Sequence, residues 1–107
     1  MKAGTVVIAE FIGVQTTKRR PALVVSSEVY HNERPDMILA VITSQILKSK
    51  AETDYILQDW QSANLNKESA VRMFLFTLPQ NSVKKIGQIS EKDRKNVQAK
   101  LKLSIEV

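Results

Sequence analysis

The sequence predicts a mainly β protein with one helix near its C-terminus. Short runs of β-branched and apolar residues, each bounded by charged or turn residues, recur along most of the chain, and helical spacing behind a capping residue occurs only near the end. The chain has 107 residues, the size of one domain, so residues 1–107 are interpreted as a single unit. Short strands with a late helix indicate a small, strongly bent sheet or barrel and not a doubly wound sheet.

Five runs are predicted to form strands. In chain order they are Thr5–Phe11, Ala22–Ser26, Met37–Ser44, Asp54–Leu57 and Ser69–Phe76. The first is β-branched and partly alternating, whereas the second and third are continuous apolar runs, the pattern of strands buried on both faces. The fourth is short. In the fifth both faces are largely apolar, and Arg72 is the exception.

The predicted helix follows Ser90. A serine at this place can cap the first turn, and Glu91 and Asp93 put negative charge at the positive end of the helix dipole. Val97 and Leu101 are four residues apart and therefore share one face of the helix. The rest of its surface is predicted to be strongly basic.

Positive charge is concentrated around this helix. The net charge is +5, and the segment from Ser82 to Lys102 accounts for all of it. Its cations, set against Glu91 and Asp93, are Lys84, Lys85, Lys92, Arg94, Lys95, Lys100 and Lys102. Such a segment favours a polyanion or an acidic protein as partner, and a lysine-rich surface that merely keeps the protein soluble is the alternative.

The residue content excludes several classes of protein. Without cysteine there is no disulfide framework and no thiolate metal site. The apolar run near the N-terminus is interrupted by Glu10 and is too short for a signal or membrane segment, so we expect a cytoplasmic protein. Paired His and Cys, a glycine-rich phosphate loop and a nucleophile elbow are all missing, so we expect no cofactor and no metal. The single histidine, His31, is interpreted as a surface loop residue without an assigned role.

Polar side chains are predicted where two buried strands end. In KRRPALVV, Arg20 precedes Pro21 and is therefore held in extended geometry at the rim of the sheet. Thr43, Ser44 and Gln45 end another apolar run, in AVITSQ. A guanidinium and a hydroxyl fixed at neighbouring strand ends can address one phosphate group. The alternative is a rim of cations that keeps a strand edge soluble.

The sequence resembles the MazF/PemK (Kid) family of toxin endoribonucleases. The pattern G-x-V-x-x-A-x-F near the start is followed in the family's order by RRPALVVSS, AVITSQI, SAVRMFLFTL and KKIGQISEKD, from Gly4 to Leu103. The resemblance implies an SH3-like small barrel with a C-terminal helix, acting as a homodimer. It also implies metal-independent cleavage of single-stranded RNA by attack of the ribose 2′-hydroxyl on the adjacent phosphate, and restraint by an acidic antitoxin.

The resemblance also implies roles for particular residues. The family's RP arginine falls on Arg20, which would stabilise the transition state, and Thr43 would hold a phosphate oxygen. Arg72 matches a further arginine that some members carry in a VR-x-D segment. The residues expected to contact RNA are Gln15, Thr16, Thr17, Lys18, Arg19, Ser44 and Gln45.

The sequence departs from the family where a general base is expected. Phe74 stands in place of the aspartate of VR-x-D, and Val14 and Gln15 replace a histidine or serine and a glutamate. None of these side chains can accept a proton in catalysis, so cleavage is predicted to be attenuated. Two alternatives stay open: an RNA- or DNA-binding module on the same fold with little or no cleavage, and an interaction protein whose basic helix docks an acidic partner.

Overall fold

The structure, a computed structural model, describes residues 1–12 and 17–106. The strands are β1 (Thr5–Ile12), β2 (Thr17–Val24), β3 (Asp36–Thr43), β4 (Tyr55–Ile56), β5 (Ala70–Pro79) and β6 (Lys84–Gln88). Helix α1 (Glu28–Glu33) lies between β2 and β3, and helix α2 (Glu91–Ser104) ends the described chain. No helix within these residues combines the length and the apolar character needed to cross a membrane.

The strands form one antiparallel sheet in the order β4-β5-β3-β2-β1-β6. Both faces of its centre are buried. Val6, Leu23 and Ala40 belong to a cluster that also contains Val97 of α2. Their sequence neighbours Val7, Ala22 and Leu39 belong to a second cluster on the other face. The continuous apolar runs are therefore confirmed as central strands, because a strand buried on both faces needs apolar residues at every position.

The free edge of β6 is covered by the segment that precedes β5. Asn64 donates from Nδ2 to the backbone oxygen of Ile86 at 2.7 Å. A Cβ added to Gly87 would lie 2.3 Å from the carbonyl oxygen of Ala63, so only glycine allows this approach. Register shifts between Val6 and Val7 and between Ala40 and Val41 bend the sheet further. The result is a half-barrel with a C-terminal helix, as predicted.

One buried carboxylate joins α2 to this segment. Asp93 is fully buried and accepts hydrogen bonds from the Tyr55 hydroxyl (2.5 Å), the Gln58 N–H (3.1 Å) and the Asp59 N–H (2.9 Å). Burial and the bond to Asp93 raise the pKa of Tyr55, which keeps its phenol neutral and able to donate. The predicted cap is confirmed, since the Ser90 hydroxyl accepts from the Asp93 N–H at 3.2 Å.

The differences from the predicted elements lie outside the apolar core. All five predicted strands are present, but β2 begins at Thr17, so Arg20 and Pro21 lie inside a strand and not before it. Proline is tolerated there because β2 pairs with β3 only from Ala22 onward, which leaves one edge open at Pro21. Strand β6 and helix α1 were not predicted.

His31 lies in α1 and not in a loop, which corrects the sequence interpretation. Its Nδ1 lies 2.8 Å from the Met1 carbonyl oxygen, which can only accept, so Nδ1 is the donor. Its Nε2 lies 2.6 Å from the Ser26 hydroxyl, which in turn accepts from the Ile38 N–H at 2.9 Å. His31 therefore ties the N-terminus and α1 to β3.

We expect Asp93→Asn to lower the free energy of unfolding by about 3 kcal/mol, since an amide nitrogen cannot accept the bonds that reach this buried carboxylate. Glu91→Gln is the matched control, the same acid-to-amide change at an exposed residue of the same helical turn, and should cost much less. Chemical denaturation of both variants measures the difference. Equal losses would contradict the role given to Asp93.

Candidate nucleic-acid interface

An open cleft of about 860 Å³ lies where β2, β3 and β5 meet the chain that leads into β4. A second depression of about 270 Å³ lies beside it. Arg20, Pro21, Ile42 and Thr43 line both, so the predicted arginine and hydroxyl stand on the ridge between them. The cleft also receives side chains from Gln45, Ala51, Thr53, Asp54, Arg72 and Phe74.

The strand register places the predicted residues on one face of the sheet. Ala22 pairs with Val41, so the same register continued by two residues sets Arg20 opposite Thr43. Val41 pairs in turn with Arg72 on β5. Residues opposite each other or two apart in a strand share a face, so Arg20, Thr43 and Arg72 project together. This is the face of the second apolar cluster, which here gives way to cations.

A bulge in β5 shapes the wall of the cleft. Ala40 pairs with Leu75 but the next residue, Val41, pairs with Arg72, so Met73 and Phe74 have no partner on β3. Such a bulge bends the strand and redirects its side chains. Phe74, which stands where the family's aspartate was expected, lines the cleft and is 69% exposed. An aromatic ring beside two arginines is a surface on which a nucleobase can stack.

The polar groups of the cleft are only partly satisfied by the described residues. The Thr43 Oγ1 accepts from the Gln45 N–H at 3.1 Å, and its hydroxyl hydrogen, without an acceptor among these residues, can be donated to a bound group. Arg20 is exposed and forms no ion pair with any carboxylate in the described part of the chain. Arg72 Nε lies 3.8 Å from Asp54 Oδ2, with the two side chains 48% and 6% exposed. Within residues 1–12 and 17–106, no group of three or more His, Cys, Asp or Glu is placed to hold a metal ion.

The other residues predicted to contact RNA are not all brought together. Gln15, Thr16 and also Val14 lie outside the described residues. Thr17 begins β2, and Lys18 is exposed two residues before Arg20 on the same face. Ser44 lines the smaller depression and Gln45 the larger.

Arg19 and the basic segment lie away from the cleft. Arg19 pairs with Glu10 and, by strand alternation, projects from the face opposite to Arg20. The cations between Ser82 and Lys102 belong to β6 and α2 and line neither depression. Arg94 is engaged by Glu91 through bonds of 2.6 and 3.0 Å, an ion pair that lowers the pKa of Glu91. The basic helix therefore offers a separate surface.

Sequence reasoning missed two contributions. Lys67, with Asn64 and Asn66, lines the smaller depression and adds a cation there. Asp54 was seen only as the start of a short strand, whereas the structure places it in the cleft beside Arg72. The sequence held no signal for this, since it depends on the pairing of β4 with β5.

The fold is shared with solved toxin structures. A MazE–MazF complex from Deinococcus radiodurans gives a TM-score of 0.72 at 20% identity, covering 99% of this chain and 98% of that one. An endoribonuclease in complex with its cognate antitoxin, from a mycobacterial species, gives a TM-score of 0.80 at 16% sequence identity, covering 100% of this chain and 98% of that one. MazF of D. radiodurans alone gives a TM-score of 0.72 at 23% sequence identity, covering 98% of this chain and 97% of that one. At sequence identities of 16–23%, this structural similarity shows that the fold is shared.

Family membership follows from the sequence profile. No curated protein matches this chain. Residues 2–105, nearly the whole chain, match the profile of the family described as PemK-like, MazF-like toxin of type II toxin-antitoxin system. The cleft that holds Arg20, Thr43 and Arg72 is thus found in a chain that belongs to the PemK-like, MazF-like toxin family of type II toxin-antitoxin systems.

Proposed function

We propose that this protein is an endoribonuclease that cleaves single-stranded RNA through attack of a ribose 2′-hydroxyl on the adjacent phosphate. The observation that carries the proposal is the convergence of Arg20, Thr43 and Arg72 on one cleft from one face of the sheet. Two guanidinium groups and a hydroxyl donor match the needs of a phosphate that gains negative charge as it is attacked. Family membership supports the same activity.

Each side chain has a distinct part in this reaction. Arg20, exposed and without an ion-pair partner among the described residues, donates its paired N–H groups to the non-bridging phosphate oxygens. Thr43 donates its remaining hydroxyl hydrogen to the same phosphate. Arg72 supplies a second positive charge from β5. With the charge stabilised by guanidinium groups, the proposed reaction uses no metal ion and leaves a 2′,3′-cyclic phosphate and a 5′-hydroxyl.

The shape of the site favours a single strand over a duplex. The cleft is open, and Phe74 exposes its ring at the wall beside Arg72. Unpaired bases can stack on such a ring, whereas paired bases keep their faces inside the helix. The alternative proposal, a module that binds nucleic acid with little or no cleavage, is favoured by Phe74, Val14 and Gln15 at the positions expected to carry a base.

An acidic antitoxin and a second copy of the chain are the proposed protein partners. Two of the similar solved structures are complexes with an antitoxin, MazE–MazF and the mycobacterial pair. In this chain Lys92, Lys95 and Lys102 are exposed on α2, away from the cleft, and provide a surface that suits an acidic protein. The type II toxin role and the cytoplasm as its location follow from the same proposal.

Purified protein, freed of any antitoxin, should cleave single-stranded RNA in excess chelator. An all-deoxy copy of the oligonucleotide should resist, because the nucleophile comes from the substrate. Arg20→Lys keeps the charge but loses the paired donors and should reduce the cleavage rate about 100-fold. Arg34→Lys is the matched control, an exposed arginine outside the cleft, and should cleave normally. A folded protein that binds RNA and cuts none across many sequences would favour the binding module.

Arg72→Leu should impair both cleavage and stability. The loss of the guanidinium leaves the nearly buried Asp54 carboxylate without its neighbouring cation, which should cost about 1 kcal/mol of unfolding free energy. In an Asp54→Asn background the same substitution should cost less, because no charge is left unpaired. Thermal and denaturant unfolding of the four proteins measures the coupling. Equal costs in both backgrounds would show that the two groups do not interact.

The protein should be a homodimer in solution. Light scattering at micromolar concentration should give twice the mass of the chain. RNA binding should weaken steeply with added salt, because each phosphate that is neutralised releases a counterion. A strictly monomeric mass in a sample that cleaves RNA would contradict the dimer and leave the nuclease proposal intact.

A further inference from the structure

Asp54 is an unusual carboxylate for its position. Its side chain is 6% exposed, yet the residue lines the cleft that holds Arg20, Thr43 and Arg72. Its Oδ2 is buried and has no hydrogen-bond partner among the described residues. The nearest cation group, Arg72 Nε, lies 3.8 Å away, beyond hydrogen-bond distance. A buried carboxylate oxygen without a hydrogen bond is costly, and one long ion pair to a half-exposed arginine offsets only part of that cost.

The backbone holds Asp54 firmly in this place. Its N–H donates to the Ala51 carbonyl oxygen at 3.0 Å. The next residue, Tyr55, pairs with Val71, the neighbour of Arg72 in β5, and its hydroxyl is bonded to the buried Asp93. The backbone at Asp54 is therefore anchored at the entry to β4, beside β5. Positioned carboxylates of this kind are typical of groups that transfer protons.

This inference rests on the proposed RNA cleavage. We infer that Asp54 is the general base of the reaction, supplied from the approach to β4 in place of the aspartate that Phe74 replaces on β5. Both residues line the same cleft, so the cleft keeps a carboxylate although β5 carries none there. Among the described residues of the cleft, Asp54 is the only carboxylate, histidine or cysteine.

The proton and electron movements balance without a further reactant. The Asp54 carboxylate accepts the proton of the 2′-hydroxyl, and the 2′-oxygen forms a bond to phosphorus. The bond from phosphorus to the 5′-oxygen breaks, and this oxygen leaves with the electron pair and takes a proton from water. Asp54 then returns its proton to water, and Arg20 stabilises the charge on the phosphate throughout.

The charged side chains near Asp54 come from β5, β2 and α2. Arg72 approaches from β5, and Arg20 lines the same cleft from β2. On the α2 side, Lys100 donates from Nζ to the backbone oxygen of Glu52 at 2.6 Å, two residues before Asp54. All three of these charged neighbours are therefore cations.

The test is single-turnover cleavage of a single-stranded RNA. Asp54→Asn should lose about 100-fold or more in rate, while RNA binding and the folded circular-dichroism spectrum persist. Asp54→Glu keeps a carboxylate and should cleave faster than Asp54→Asn but more slowly than the wild-type protein. Glu52→Gln removes an exposed acid two residues away, outside the cleft, and should match the wild-type protein.

The double variant Asp54→Asn, Arg72→Leu distinguishes a general base from a residue that only positions Arg72. If Asp54 acts through Arg72, then Asp54→Asn costs nothing further in an Arg72→Leu background, and the inference is overturned. If it is the base, the loss persists there. An Asp54→Asn protein that keeps the wild-type rate overturns the role of Asp54 alone. A wild-type protein that cuts no RNA overturns the proposed function and this role with it.

Discussion

The antiparallel register of β3 with β2 and β5 is the constraint on which the rest of this structure depends. It is set by apolar residues that fill both faces of the central strands, Leu23 and Ala40 on one side, Ala22 and Leu39 on the other. A slip of one residue would turn every one of these side chains to the wrong face. The same register, continued two residues beyond the Ala22–Val41 pair, sets Arg20 and Thr43 on the face from which Arg72 projects. The core thus determines the geometry of the cleft.

A second layer of the structure connects the C-terminal helix to this cleft. Asp93 of α2 holds the Tyr55 hydroxyl and the backbone of Gln58 and Asp59, the start of the segment that covers the edge of β6. Tyr55 directly follows Asp54, so the buried network anchors the backbone next to the carboxylate that pairs with Arg72. The helix therefore contributes to the site through its buried side, whereas its exposed lysines face away from it. Loss of the network would disturb fold and site together.

The sequence predicted the parts that depend on local pattern. Continuous apolar runs identified the central strands, and Ser90 with Glu91 and Asp93 identified the start of α2. Strand β6 was missed because Lys84, Lys85 and Gly87 break any apolar pattern, and its extended form depends on pairing with β1. Pro21 led to the inference that Arg20 is extended at the rim of the sheet near Thr43, but the face of Arg19 was not inferred, because β2 was predicted to begin only at Ala22. The bulge at Phe74 and the environment of Asp54 arise from strand pairing, which one sequence does not display.

The central claim is that Arg20, Thr43 and Arg72 hold a single RNA phosphate in one cleft. A crystal structure with a short single-stranded RNA carrying one 2′-deoxy nucleotide at the cleavage position tests it most directly, because such an oligonucleotide binds but cannot react. The account predicts a phosphate within hydrogen-bond distance of the Arg20 guanidinium and Thr43 Oγ1, a base against Phe74, and Asp54 facing the missing 2′-hydroxyl. An oligonucleotide lying along the exposed lysines of α2, with the cleft empty, would contradict it.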